Sequence, residues 1–553
     1  MGQKRRTQAI GSMIPRLSGR SESVRETGWP IPAFLSVVAA VVVWTAWLQL
    51  RPGVAVGGPG REPVDPAVLR ADLETIVGDG TPRVVGTPGA AAGRDRIAGI
   101  LQSIGLAVDR QRIRIERRAG TVDVENLVAT IEGTGGDGRP VLAVVAHSDS
   151  VPGSPGASDD GAGVAALCAV ARALVARPPA HGVLLLVTDG EERGLLGAQA
   201  FMAQHPASAS LRAVVNLDAR GASGPAAIFE MGPESAWLAG IIADFVPAPR
   251  TQSLAAAIYE HMPNGTDFTV FLKAGLTGFN VAFIGDVAAY HRPDDTVARQ
   301  SPWTRAHLAQ TALALVRGLD SRWPESGRVP AGRAVFGDVL GAWVLRWPEP
   351  WTPWVVGAAA LAIATVGLRS NALRAGSVAC ALVACLAVVV ASGVVGWIFA
   401  TAASAAHVDP VSAPIRVRAV VALGWLAAAV MAVGAGTWLA RRSTPWEAVL
   451  GAWATWFAPT AAAAVVLPSA SLLLAVPAVA AAVAGVACGL RRSNGAGAVA
   501  VVGASTAVIL WIPVEPLVVD ALGIAVGPFT GLRAGLVSML AVPVVATVTR
   551  PAD

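Results

Sequence analysis

Two histidines and a group of carboxylates stand out because most lie just beyond a short apolar run. His147 and Asp149 follow residues 141–146, and Asp159 and Asp160 open an Ala-rich stretch in GASDDGAG. Asp189, Glu191 and Glu192 follow 183–188, Asp218 ends 213–217, and Tyr290, His291, Asp294 and Asp295 lie beyond 279–284. Imidazole together with carboxylate is the donor set of zinc, whereas all-oxygen sites suit magnesium or calcium. Two histidines and three carboxylates exceed the ligand count of one catalytic zinc. They serve two Zn2+ ions roughly 3.5–4 Å apart if one carboxylate bridges. Three carboxylates and one hydroxide also offset two divalent cations, so such a centre can be buried without a large desolvation cost. No HExxH occurs, which excludes the thermolysin type of zinc site.

Each motif has an ordinary structural use when taken alone. A lone histidine serves many loops, paired glutamates make solvated turns, and Asp159-Asp160 could cap a helix. Their joint placement argues for chemistry. In an open α/β sheet, ligands bind beyond the carboxyl ends of strands; these residues fall there, with Asp159 and Asp160 at the start of an Ala-rich helix. His181, His205, His261 and His307 have no such neighbours and read as structural or exposed; Cys168, inside an apolar stretch, reads as core packing.

The elements that must position these residues occupy 65–320. Strands are expected at 126–131, 141–146, 183–188, 213–217 and 279–284, with helices at 163–176 and 195–204 between them. This alternation predicts an α/β fold, an open and mostly parallel sheet flanked by helices. GTGGDG at 133–138 matches a dinucleotide fingerprint, but a strand follows it instead of a helix, so it reads as a turn between strands.

Outside that region the composition changes solvent. The 553 residues are 53% hydrophobic and only 15% charged, and the excess apolar content is concentrated after residue 350. Residues 31–50 carry no charge and are long enough to span a bilayer as an uncleaved anchor. They follow a basic tail (1–30) and precede a Pro/Gly-rich linker (51–64); 321–350 reads as a linker or amphipathic segment. Seven further spans are expected at about 353–368, 375–400, 419–440, 446–467, 470–490, 496–514 and 521–548, an all-α membrane domain over 351–553. Arg369 and Arg374, Arg441 and Arg442, Arg491 and Arg492, and Arg550 fall at alternate boundaries on the side of the tail; only Arg416 and Arg418 break the pattern. The positive-inside rule then makes the tail cytoplasmic and the 65–320 domain extracytoplasmic. The net charge of +5 thus belongs to membrane topology, and a nucleic-acid partner is not expected.

The pieces AHSDS, GASDDGAG, TDGEERGLLGAQAF, VVNLDARG and YHRPDDT, in this order, resemble the di-zinc aminopeptidases of metallopeptidase family twenty-eight. MGPESAWL, NGTDFTVF and AVFGDVLG add a likeness to the endoplasmic-reticulum metallopeptidase branch of that family. The resemblance implies that Asp159 bridges two zincs, that His147 and Asp218 complete one, and that Glu192 and His291 complete the other. It implies Asp149 behind His147, a cis peptide at Asp160, and Glu191 as general base in hydrolysis of a peptide substrate. The family's transition-state tyrosine has no clear counterpart, since Tyr259 and Tyr290 are the only tyrosines. Three other readings compete: a single-zinc glutaminyl cyclase, a receptor-like relative without catalysis, and a transporter whose soluble part is secondary.

Overall fold

The apolar runs that precede the polar residues do form strands. The computed structural model describes residues 30–52, 64–117, 120–135, 140–262, 264–370, 373–406, 414–490, 495–522 and 527–550. Seven strands make one sheet: β1 (Asp109–Arg117), β2 (Gly120–Ile131), β3 (Pro140–His147), β4 (Gly182–Thr188), β5 (Ala213–Ala219), β6 (Ala227–Met231) and β7 (Thr277–Phe283), in the order β1-β2-β4-β3-β5-β7-β6. The central strands β4, β3, β5 and β7 run parallel, while β1, β2 and β6 join antiparallel at the edges. The sheet is therefore mixed, and parallel in the part that carries the polar residues. Strands β4 and β7 are buried along their whole length, as strands covered on both faces must be.

Two edge strands escaped the sequence reading. In β1, DRQRIRIER alternates isoleucine with charge, and its arginines meet acids of β2 across the pair, Arg114 on Asp123 and Arg112 on Glu125. Such a strand is solvated by design, so it lacks the apolar run that marks the others. Strand β6 is short and only partly buried. GTGGDG does lie between β2 and β3, although residues 136–139 fall outside the described residues.

Helices α1 (Pro30–Leu50), α2 (Pro66–Val77), α3 (Pro88–Ser103), α4 (Gly163–Ala176), α5 (Leu196–Gln204), α6 (Ser235–Phe245), α7 (Ser253–Tyr259), α8 (Asp267–Lys273) and α9 (Pro302–Arg322) include those that cover the sheet. Several start by one device, a side-chain cap followed by proline. Asp65 accepts the Ala67 N–H before α2, Thr87 that of Ala90 before α3, and Ser301 that of Thr304 before α9. Within 321–350, read as a linker or amphipathic segment, the chain forms a hairpin of β8 (Ala334–Val339) and β9 (Trp343–Pro348). Strand β8 is buried by α6, which its small and apolar residues permit.

The membrane domain comprises α10 (Thr352–Ser370), α11 (Ala375–Ala405), α12 (Pro414–Ala440), α13 (Pro445–Val466), α14 (Ser471–Leu490), α15 (Ala496–Trp511), α16 (Glu515–Leu522), α17 (Gly527–Met539) and α18 (Val542–Val548). Together with α1, eight segments among the described residues are long and apolar enough to cross a bilayer, by length and composition. The last boundary differs from expectation: Glu515–Leu522 continues the span begun at Ala496, and the final span is Phe529–Val548. The tail 1–29 and most of the 51–64 linker, residues 53–63, lie outside the described residues, as do Arg491 and Arg492.

Two of the basic span boundaries meet. Arg374, before α11, donates to the Arg442 carbonyl and to Glu447 at the start of α13. At the opposite ends the peptidase-side elements attach: Ser253 Oγ donates to the Ser469 carbonyl, Arg250 to that of Pro513, and Trp44 to that of Leu340. Arg418, an exception to the charge pattern, lies 3.4 Å from Asp520, so its position is set by an ion pair.

Candidate metal centre

Four strand ends converge on one edge of the sheet. Strand β3 pairs with β4 on one side and β5 on the other, so the crevice for a ligand opens beyond its carboxyl end, at His147. The loop after β4 brings Glu191 and Glu192, β5 brings Asp218, and the loop after β7 brings His291. The 157–162 turn before α4 brings Asp159, and the Asp159–Asp160 peptide is cis.

Two triads share one residue. His147 Nε2 lies 3.1 Å from Asp159 Oδ1 and 3.8 Å from Asp218 Oδ1. His291 Nε2 lies 3.1 Å from Asp159 Oδ2 and 3.0 Å from Glu192 Oε1. Within each triad the donor atoms lie within 4.8 Å of one another. Asp159 thus turns one oxygen to each group, the disposition required of a bridging carboxylate.

The surrounding residues hold this geometry. Asp149 Oδ1 and Oδ2 accept the backbone N–H groups of Glu191 and Glu192 at 3.1 and 3.2 Å, and Oδ1 lies 3.5 Å from His147 Nδ1. One buried carboxylate therefore fixes the histidine and the double-glutamate turn together. Asp160 accepts the backbone N–H groups of His147 and Gly163. A Cβ on Gly163 would sit 2.2 Å from the Asp160 carboxylate, so glycine is required there. Asp295 accepts the N–H groups of Ser158 and Asp159. His291 has a φ of 58°, the left-handed region costly for a side-chain-bearing residue, and it stacks on Tyr290.

Not every candidate joins the centre. Asp189 turns away to Arg94 and to the Glu125 N–H, and Asp294 pairs at the surface with Arg299. Arg83 was missed, and it is fully buried. Its guanidinium donates to the carbonyls of Ser148, Pro155 and Gly156, fixing the loop between His147 and Asp159. It bonds only main-chain oxygens, so no motif advertises it. Asp267, within the quoted NGTDFTVF, is likewise buried and accepts the Thr188 hydroxyl. Tyr259 and Tyr290 both line the cavity beside the triads, although neither could be assigned from sequence.

A cation fits this donor set on two observations. Glu192 Oε1 and His291 Nε2 are buried, 3.0 Å apart, and neither has a hydrogen-bond partner. Such orphaned atoms are costly unless a third group lies between them. The electrostatics agree. Burial, reinforced by Asp218, Asp267 and Glu192, pushes the Glu191 carboxyl well above the ordinary range. Burial and the Asp159 charge raise Glu192 to about 7. A nearby dication reverses that penalty.

An α/β domain with this donor set at its sheet edge can hold metal ions beside a cavity that a substrate could enter. Residues 126–316 match Peptidase family M28, so the chain carries a domain of that family. Over 230 residues, 40% of this chain and 27% of the relative, it is 31% identical to a vacuolar membrane protease of Candida albicans (strain WO-1). Over 234 residues, 41% of this chain and 26% of the relative, it is 32% identical to endoplasmic reticulum metallopeptidase 1 of Rattus norvegicus. The chain spans about a quarter of the length of these curated relatives. Among solved structures, a glutaminyl cyclase of Fimbriiglobus ruber superposes with a TM-score of 0.39 at 19% identity, covering 48% of this chain and 99% of that one.

Proposed function

We propose that this protein is a membrane-bound exopeptidase that holds two Zn2+ ions and removes N-terminal residues from peptides. The observation that carries the reading is the split of Asp159, whose two oxygens each lie 3.1 Å from a different histidine. Asp159 would bridge, His147 and Asp218 would hold one zinc, and Glu192 and His291 would hold the other. Zinc bound there supplies a Lewis acid that acidifies water and polarises a carbonyl.

The chain's own groups do the rest. Glu191 lines the cavity beside the triads and appears in neither of them. It is free to take the proton of the attacking water on a carboxylate oxygen and return it to the leaving amine, as a general base and then acid does. Asp149 keeps Glu191 and His147 in register through the bonds described above. The N-terminal tail is cytoplasmic and the peptidase domain extracytoplasmic in this proposal, supported by the basic loops on the face opposite the domain.

Metal analysis of the purified protein, combined with hydrolysis of aminoacyl reporter substrates, tests the reading. Two zincs per chain are expected. Glu191→Gln should lower kcat about 10²–10⁴-fold with metal content retained. One zinc per chain, with cyclisation of N-terminal glutamine and no peptide cleavage, would replace this proposal by the glutaminyl cyclase alternative.

A further inference from the structure

The cavity that opens from the metal centre is not closed by the peptidase domain alone. It measures about 570 Å³ and runs from Asp159, Glu191 and Asp218 to residues of the membrane domain. That size lies within the roughly 300–1,000 Å³ of sites that enclose small organic groups. Its far wall is α16 and the residue before it. Val514, Leu517, Val518, Ala521 and Leu522 all line the cavity, and their spacing places them on one helical face. Phe229, Ile258 and Met262 of the peptidase domain line the cavity too. The lining is thus acidic at the metal end, while the α16 face itself is apolar with Arg220 and Arg250 at its two ends.

This short helix is held from four directions. Glu515 lies 3.1 Å from Arg533 of α17, and Asp520 lies 3.4 Å from Arg418 of α12. From the peptidase domain, Arg250 donates to the Pro513 carbonyl at 3.1 Å and Arg220 to the Ala521 carbonyl at 3.3 Å. Ties at both ends and from both domains fix the apolar face relative to the metal centre.

We propose that α16 is the specificity wall of the catalytic cavity, and that the substrate is a peptide whose cleaved terminal residue carries a bulky apolar side chain. This deepens the exopeptidase reading and rests on it. The membrane domain then acts on selectivity directly: an apolar side chain lies against Leu517 and Val518 while the scissile bond faces Asp159 and Glu191. A small terminal residue leaves that face unfilled, and a charged one must be desolvated against it.

The test uses the full chain in detergent, with Leu517→Asp and the milder Leu517→Ala. Two peptides differing only in a terminal Phe or Gly are titrated by calorimetry against chelator-treated protein, and their kcat/KM values are measured on zinc-loaded protein. The wild type should prefer the Phe peptide at least about tenfold in binding, and Leu517→Asp should cut that ratio about tenfold, with Leu517→Ala intermediate. Thermal unfolding identifies a variant that has lost its fold, and Leu517→Ala then decides. An unchanged Phe/Gly ratio in folded variants, or no preference in the wild type, overturns the proposal. Absence of hydrolysis with the binding preference intact sinks the exopeptidase reading and leaves the wall standing.

Discussion

The peptidase domain and the membrane domain both bury charge, and they balance it in opposite ways. In the membrane domain each buried acid meets a base from another segment: Glu447 with Arg374, Asp520 with Arg418, Glu515 with Arg533. Around Asp159 the acids outnumber their partners. Among the described residues no Lys or Arg forms an ion pair with Asp159, Asp160, Glu191, Glu192, Asp218 or Asp267, and only His147 and His291 stand between them. Matched pairs brace helices, whereas an uncompensated cluster calls for cations. Arg533, a buried membrane-domain charge that a transport pathway could use, is already paired with Glu515.

The comparison breaks first at Asp159. Asp159→Ala should remove the shared oxygen of both triads, lowering kcat/KM by at least about 10³-fold and stripping most of the zinc, because shared ligands fail together. Elemental analysis beside a hydrolysis assay measures both. Near-normal zinc content in this variant would mean that the two triads are not one centre.

On the membrane side the largest effect should come from orphaning a brace. Glu515→Leu leaves Arg533 buried without its acid and should cost about 3–5 kcal/mol of stability. Adding Arg533→Met should recover most of that loss, since well-packed apolar pairs replace buried ion pairs at little cost. Thermal unfolding in detergent ranks the three proteins. If the double variant is no more stable than the single one, the pair is not a brace and Arg533 needs another explanation.

The same contrast explains what could be read from the chain. The parallel centre of the sheet was legible because β3, β4, β5 and β7 are apolar runs ending at polar residues. The polar edge strand β1 was not, since its arginines and acids pair only once the sheet exists. His147, Asp159, Glu192, Asp218 and His291, which the structure brings together, could be picked out because their types are those of zinc ligands and most of them follow apolar strands. Arg83 was not nameable, because three carbonyl acceptors on a distant loop leave no mark in sequence. The hairpin after residue 330 hid for a similar reason: β8 is buried against α6, more than eighty residues earlier in the chain. The apolar spans declared themselves by length, but the role proposed for α16 depends on the cavity it shares with a site in another domain.

A smaller effect should mark the residue that ties the centre together. Asp149→Asn keeps the shape but removes one acceptor from the Glu191–Glu192 turn and the charge beside His147. Zinc affinity should fall about 10–100-fold, the usual cost of losing a partner behind a metal ligand. Competition with a chelator of known affinity reads this. A loss as severe as that of Asp159→Ala would place Asp149 among the ligands themselves.

The smallest effect asks whether burial by itself marks function in the peptidase domain, and His307 answers it. This histidine is buried, accepts the Ala226 N–H on Nδ1 at 3.0 Å and donates from Nε2 to the Ala248 carbonyl at 3.0 Å, so it is satisfied only when neutral. Burial, with Arg250 nearby, lowers its pKa to about 4. The unfolded chain, titrating near 6.5, binds the proton first as the pH falls. The stabilisation from the neutral ring is therefore complete above about pH 6.5 and lost progressively toward pH 4. Between pH 7 and 5.5 this amounts to about 1 kcal/mol. His307→Gln has no group that titrates there, so its stability should fall less than that of the wild type over this interval. The acids of the metal centre contribute equally to both proteins, and the difference in slope isolates the histidine. Parallel slopes would mean that His307 carries its proton when folded, and that the bond to the Ala226 N–H is not made.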